Sequence, residues 1–157
     1  MPNYQSDYVK GAKPMPVGQG PELLSVNAEI DLTAALAASD VLEFCDIPEG
    51  HVPVDCKLHT DDLDTGTGTI TLDLGILNTG KTAVDTTLSG GGKWLTADGT
   101  AAAGGMVSVT DKAIKRVDPS ETTKLRVGAV VVAGPNVGAT SGKIGVELTF
   151  RASHYDN

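Results

Sequence analysis

Apolar and polar residues alternate with period two over several separate stretches of the chain. Leu24, Val26, Ala28, Ile30 and Leu32 alternate with Ser25, Asn27, Glu29 and Asp31. Such a stretch predicts a strand with one face in a core and the other in water. The same pattern recurs at Ile70–Ile76, at Leu125–Val131 and most cleanly at Ile144–Phe150. Val52, Val54, Cys56 and Leu58 form a further face, opposite Asp55, Lys57 and His59. Val41–Cys45 predicts a shorter strand with Leu42 and Phe44 inward, and Lys93–Leu95 and Met106–Thr110 add two more. Helix signals are thin. Thr33–Ser39 is alanine-rich enough for one turn, and Asp111 is placed to cap a short helix ending at Arg116. Neither supports parallel βαβ units, so an antiparallel sheet is expected.

The expected fold is therefore all-β: an antiparallel, jelly-roll-like sandwich of about eight strands over residues 22–157. The Gly-containing connections Thr79–Gly92 and Ala97–Gly105 suit Greek-key crossings. Residues 1–21 are rich in Pro and Gly without periodicity and read as an extended N-terminal arm. At 157 residues the chain is long enough for one core without a metal or disulfide.

Composition narrows the partners. The net charge of −8 repels nucleic acid and anionic lipid alike. Aromatics are only 4% of the chain, too few for a base-stacking surface. No apolar run reaches the ~20 residues of a membrane helix, and Met1 to Gly20 carries no hydrophobic signal core. Synthesis in the cytoplasm of the producing cell is expected. Cys45 and Cys56 flank the Ile47–Val52 turn. With Leu42 and Phe44 inward, Cys45 points outward while Cys56 points inward, so the two are read as free thiols. Pairing them across a hairpin would also set Asp46 against Asp55.

Several local matches to chemical motifs fail in context. Gly75-Ile-Leu-Asn-Thr-Gly80-Lys81-Thr82 fits the phosphate-loop pattern letter for letter. A β-branched, then Gly-rich segment follows where a helix is required, so a glycine turn after a strand is expected. Asp62 and Asp64, with Gly66, are the metal candidates, as the start of a calcium loop. Gly68 stands where a further oxygen donor is needed, and no Glu closes the loop. Asp64-Thr65-Gly66 also matches the aspartic-protease tripeptide, but Asp62-Leu63 replaces the required apolar pair. A polar turn between strands is the expectation. His51 falls in a turn, His59 on a solvent face beside Asp55 and Lys57, and His154 near the end. Inward positions are aliphatic, unlike a cupin-type metal site. Trp94 is expected to plug the edge of the core. No catalytic residues and no cofactor are expected.

One resemblance extends this reading. Asp40-Val-Leu-Glu-Phe-Cys-Asp-Ile-Pro48-Glu-Gly50-His51-Val-Pro-Val54 resembles a strand, Pro-x-Gly turn and strand of small tailed-bacteriophage structural proteins. Asp61-Asp62-Leu63-Asp64 with Ile70–Ile76, and Gly138–Arg151, are similar to their continuation. The resemblance runs from Leu24 to Arg151 and implies a virion protein of the jelly-roll capsid decoration, or cement, type. It implies a position on the capsid exterior, the major capsid protein as partner, and self-association as homodimer or homotrimer. The arm residues Tyr4, Tyr8, Val9, Met15 and Val17 are the expected partner contacts. A tail or connector component is an alternative. So is a glycan-binding module using the Asp61–Asp64 loop and Trp94.

Overall fold

A computed structural model describes residues 2–18, 20, 22–88, 91–118 and 124–153. Among the described residues, nine strands form two sheets: β1 (Asn3–Gln5), β2 (Leu24–Leu32), β3 (Val41–Ile47), β4 (His51–Thr60), β5 (Thr71–Ile76), β6 (Lys93–Asp98), β7 (Gly105–Ser108), β8 (Leu125–Ala133) and β9 (Gly142–Ala152). One sheet has the order β1-β3-β8-β5-β6 and the other β2-β9-β4-β7. Take β2 to β9 as the first to the eighth strand. The sheets then run first-eighth-third-sixth and second-seventh-fourth-fifth. That is the strand order of a jelly roll, so the all-β jelly-roll sandwich read from the alternation is the observed fold. β1 is added at the edge, parallel to β3.

The period-two faces meet in one core. Val26, Ala28 and Ile30 of β2 and Ile144, Val146, Leu148 and Phe150 of β9 are buried, and they face Phe44, Leu72, Leu74 and Val127 of the other sheet. Expelling these side chains from water is the main stabilising term, at roughly 1.5–3 kcal/mol for each fully buried large aliphatic or Phe. Trp94 is part of this core, as expected.

The cysteine geometry differs from the expectation. Cys45 is not outward: it is fully buried, as are Leu42 and Phe44. The register of β3 on β8 shifts between Glu43 and Cys45, which leaves Phe44 as the extra residue of a bulge. A bulge breaks strict alternation, so adjacent side chains both turn inward. β3 and β4 also lie in different sheets, so no hairpin sets Asp46 against Asp55. Cys45 and Cys56 enter the same core from opposite sheets, and both thiols are free.

Two connections also differ in detail. Thr33–Ser39 makes no helical turn. The Asp40 carboxylate accepts the Ala37 amide at 2.8 Å, and Ser39 takes φ 72°, outside any right-handed helix. By contrast, Asp111 caps a 3₁₀ turn at Lys112–Arg116, its carboxylate accepting the Ala113 amide at 2.8 Å.

Candidate functional site

The N-terminal segment is the first surface to consider, because the expected partner contacts lie on it. Over Asn3–Gln5 it is not a free arm but the edge strand β1. The side chains of Asn3 and Gln5 both donate to Glu43 on β3, Gln5 at 3.0 Å. Glu43 is fully buried and also meets the guanidinium of Arg126, which bridges to Asp46. Lys81 approaches the same carboxylate at 3.8 Å. Burial pushes the Glu43 carboxyl up, but Gln5, Asn3, Arg126 and Lys81 outweigh it and hold it below its ordinary value. A charge in the interior is thus compensated by four partners, two of them from the segment before residue 6.

Ser6 continues the docking: its amide donates to the Glu43 carbonyl at 3.0 Å and its hydroxyl to the Phe44 carbonyl. Tyr4, Tyr8 and Met15 pack against the core, and Val9 is half-buried. Val17, at 64% exposure, is the expected contact residue that stands most in water. Tyr8, Met15 and Val17 line a cleft of about 330 Å³ with Pro14, Pro48 and Lys124. His51 meets the end of the segment at Gly18. It is not in a turn but is the buried first residue of β4, its ring edge-on to Phe150 at 5.7 Å. Its Nδ1 lies 2.8 Å from the Glu49 carbonyl and its Nε2 3.2 Å from the Gly18 carbonyl, which ties the end of the segment to the core.

The Asp61–Gly66 segment is a turn with a structural hub. Asp64 is buried at 2% exposure. Its Oδ1 accepts the amides of Gly66 and Val137, each at 3.1 Å. Its Oδ2 accepts those of Thr69 at 2.7 Å, Asn136 at 3.0 Å and Ile70 at 3.4 Å. Burial raises the Asp64 carboxyl, but the amides of Asn136, Thr69, Val137 and Gly66 outweigh it and hold it far below the usual carboxylate range. Both oxygens are engaged by donors, so a cation would have to displace several amides to reach them. Among the described residues, Asp62 accepts only the Asp64 amide, at 3.1 Å. Among the described residues, no three His, Cys, Asp or Glu side chains converge to hold a metal.

The phosphate-loop match dissolves in the same way. Gly75 and Ile76 belong to β5, and a Cβ on Gly75 would lie 1.9 Å from the Gly92 carbonyl oxygen, so the glycine serves strand packing. The turn Asn78–Lys81 is closed by the Lys81 amide on the Asn78 carbonyl at 2.9 Å, and Lys81 itself takes φ 53°. Trp94 is 2% exposed and offers no open face; its buried Nε1 has no hydrogen-bond partner among the described residues. His59 lies on the outer face of the four-stranded sheet, with Nε2 2.8 Å from the Asn27 side-chain oxygen. His154 falls outside the described residues. The described surface therefore presents shallow clefts and sheet faces.

No protein-family model matches the sequence, and no curated protein matches it. Solved structures do. A chain in the capsid of Ralstonia phage GP4 superposes with a TM-score of 0.82 at 34% identity, covering 95% of this chain and 97% of that one. The chain belongs to this family of phage capsid proteins. A chain in the capsid asymmetric unit of cyanophage Pam1 is similar at a TM-score of 0.60 and 19% identity, over 88% of this chain and 90% of that one, and shares the fold. Near-complete coverage on both sides means that the likeness extends over almost the whole sandwich.

Sequence reasoning did not single out two features of this capsid protein. One is the Glu43–Arg126 pair, whose partners are 83 residues apart. The other is the run of cations at Lys112, Lys115 and Arg116, legible as a charge cluster but read only as part of a short helix.

Proposed function

We propose that the protein is a capsid decoration, or cement, protein. It binds the outside of the assembled shell through the major capsid protein and stabilises the contacts between coat subunits. The observation that carries this reading is the end-to-end likeness to a chain of the Ralstonia phage GP4 capsid, 95% of this chain against 97% of that one. The work is mechanical rather than catalytic. The net charge of −8 suits a position on the outer surface, away from packaged nucleic acid. Contacts repeated at symmetry-related positions act through avidity, so no deep pocket is required.

The arm face supports the same reading. Val17 at 64% exposure and the cleft beside it offer apolar surface next to Lys124. Self-association as a homodimer or homotrimer would let one molecule bridge neighbouring coat subunits. The experiment is co-sedimentation of the purified protein with expanded shells built from the coat protein alone, followed by a thermal rupture assay. Saturable binding and a raised rupture temperature are expected. Absence of binding at micromolar concentration overturns the reading and favours a tail, connector or glycan-binding role.

A further inference from the structure

We infer that the basic 3₁₀ turn Lys112–Arg116 and the cleft beside it form a docking site for an acidic polypeptide segment of the coat protein. This deepens the decoration reading and rests on it.

Six of the other cations are matched by carboxylates. Lys13, Lys57, Lys81, Lys93, Arg126 and Lys143 each lie within 4.0 Å of at least one carboxylate. Lys112, Lys115 and Arg116 have no such carboxylate among the described residues, although they are exposed on a chain of net charge −8. The Asp111 carboxylate, next in sequence, is occupied by the Ala113 amide at 2.8 Å. Three unmatched like charges within five residues repel one another, at a cost that an external anion would relieve.

Lys115 and Arg116 line a cleft of about 460 Å³ together with Val52, Val54, Val117, Asp118 and Arg151. Lys115 donates its Nζ to the Val54 carbonyl, which fixes one side chain across the cleft. Apolar walls beside a cationic rim fit a peptide with carboxylate side chains and some aliphatic surface. They fit nucleic acid poorly. A polyphosphate would run past the patch onto the acidic remainder of the surface and be repelled there. A short acidic segment needs only the local field, which salt confines to about 8 Å at physiological ionic strength.

The test uses two full-length variants of equal net charge. Lys112→Ala/Arg116→Ala removes two cations that hold no packing contact of the core. Thr79→Glu/Thr96→Glu adds two anions at exposed positions outside the turn, one in the β5–β6 connection and one on β6. A fluorescein-labelled deca-glutamate peptide should bind the unmodified protein at low salt, and the K112A/R116A variant about tenfold more weakly, with unchanged melting temperature. Thr79→Glu/Thr96→Glu should retain binding within about twofold. On coat-protein shells the same ranking is expected. If the unmodified protein binds shells and K112A/R116A binds equally well, this inference is wrong and the decoration reading stands. If the unmodified protein binds no shells, the decoration reading fails first. Tighter binding of a labelled single-stranded oligonucleotide than of deca-glutamate would also overturn the inference.

Discussion

Asp64 accepts the amide of Asn136 through Oδ2 at 3.0 Å, across 72 residues of chain. The bond fastens the β4–β5 connection to the β8–β9 connection at one end of the sandwich, and a second amide, Val137, reinforces it at 3.1 Å. Replacing the carboxylate by an amide puts an N–H where an acceptor is needed and leaves buried donors unpaired. Asp64→Asn should therefore lower the melting temperature by at least about 5 °C. Calcium or a chelator should shift neither protein. The pH dependence has a defined sign. The carboxyl is depressed in the folded protein, so its stabilisation is complete above the ordinary carboxylate pKa of about 3.9 and is lost as pH falls below it. The gap in melting temperature between the two proteins should narrow in that acid range. A gap that stays constant down to pH 2 would contradict the hub.

Glu43 and Asp46 share Arg126 but should not be equivalent. The Glu43 side chain is 1% exposed and the Asp46 side chain 22%. Glu43→Ala leaves a largely buried guanidinium short of one partner and strips the β1 side chains of their acceptor, at about 3 kcal/mol. Asp46→Ala should cost about 1 kcal/mol, because Glu43 still holds the charge. Urea unfolding of the two variants measures the difference. Equal losses would show that the buried acid does not organise this edge.

The two thiols should be inert in the folded protein. Burial, and then the neighbouring Asp46, push the Cys45 thiol up to about 12, and burial raises Cys56 well above its ordinary value. The thiolate is the reactive form, so neither should react with a disulfide reagent at pH 8 within minutes. Both should react at once in denaturant. Rapid labelling of native protein would mean that the core opens there.

Val17 separates binding from folding. It projects into water, so Val17→Asp should leave the melting temperature within about 1 °C. Shell binding should weaken about tenfold if the arm face is a contact. Unchanged binding would remove that face from the interface.

Much of the fold is legible in the chain because most strands keep one face in water. Leu24–Leu32 alternates inside and out along its whole length, and the structure follows it residue by residue. β3 is less legible because both its faces are covered. Val41 packs under Leu77 and Val84 from the β5–β6 connection, while Leu42, Phe44 and Cys45 face the main core around a bulge. Alternation cannot report a bulge, so the outward placement of Cys45 failed there. Sheet membership was equally hidden: Ile47–His51 looks like a hairpin turn yet crosses between sheets. At the Asp61–Gly66 turn, composition revealed the turn but not the role of Asp64, whose distant partners Asn136 and Val137 carry no local signal. Asn3–Gln5 carries no alternating signal because it docks through side-chain hydrogen bonds to Glu43 and a short parallel pairing, not through an alternating face.

The central claim is that this capsid protein decorates the shell. Quantitative peptide mass spectrometry of purified particles tests it most directly, by the molar ratio of this chain to the major coat protein. Decoration predicts a ratio set by the shell lattice, with copies comparable in number to the coat protein. A handful of copies per particle, or none, would contradict it.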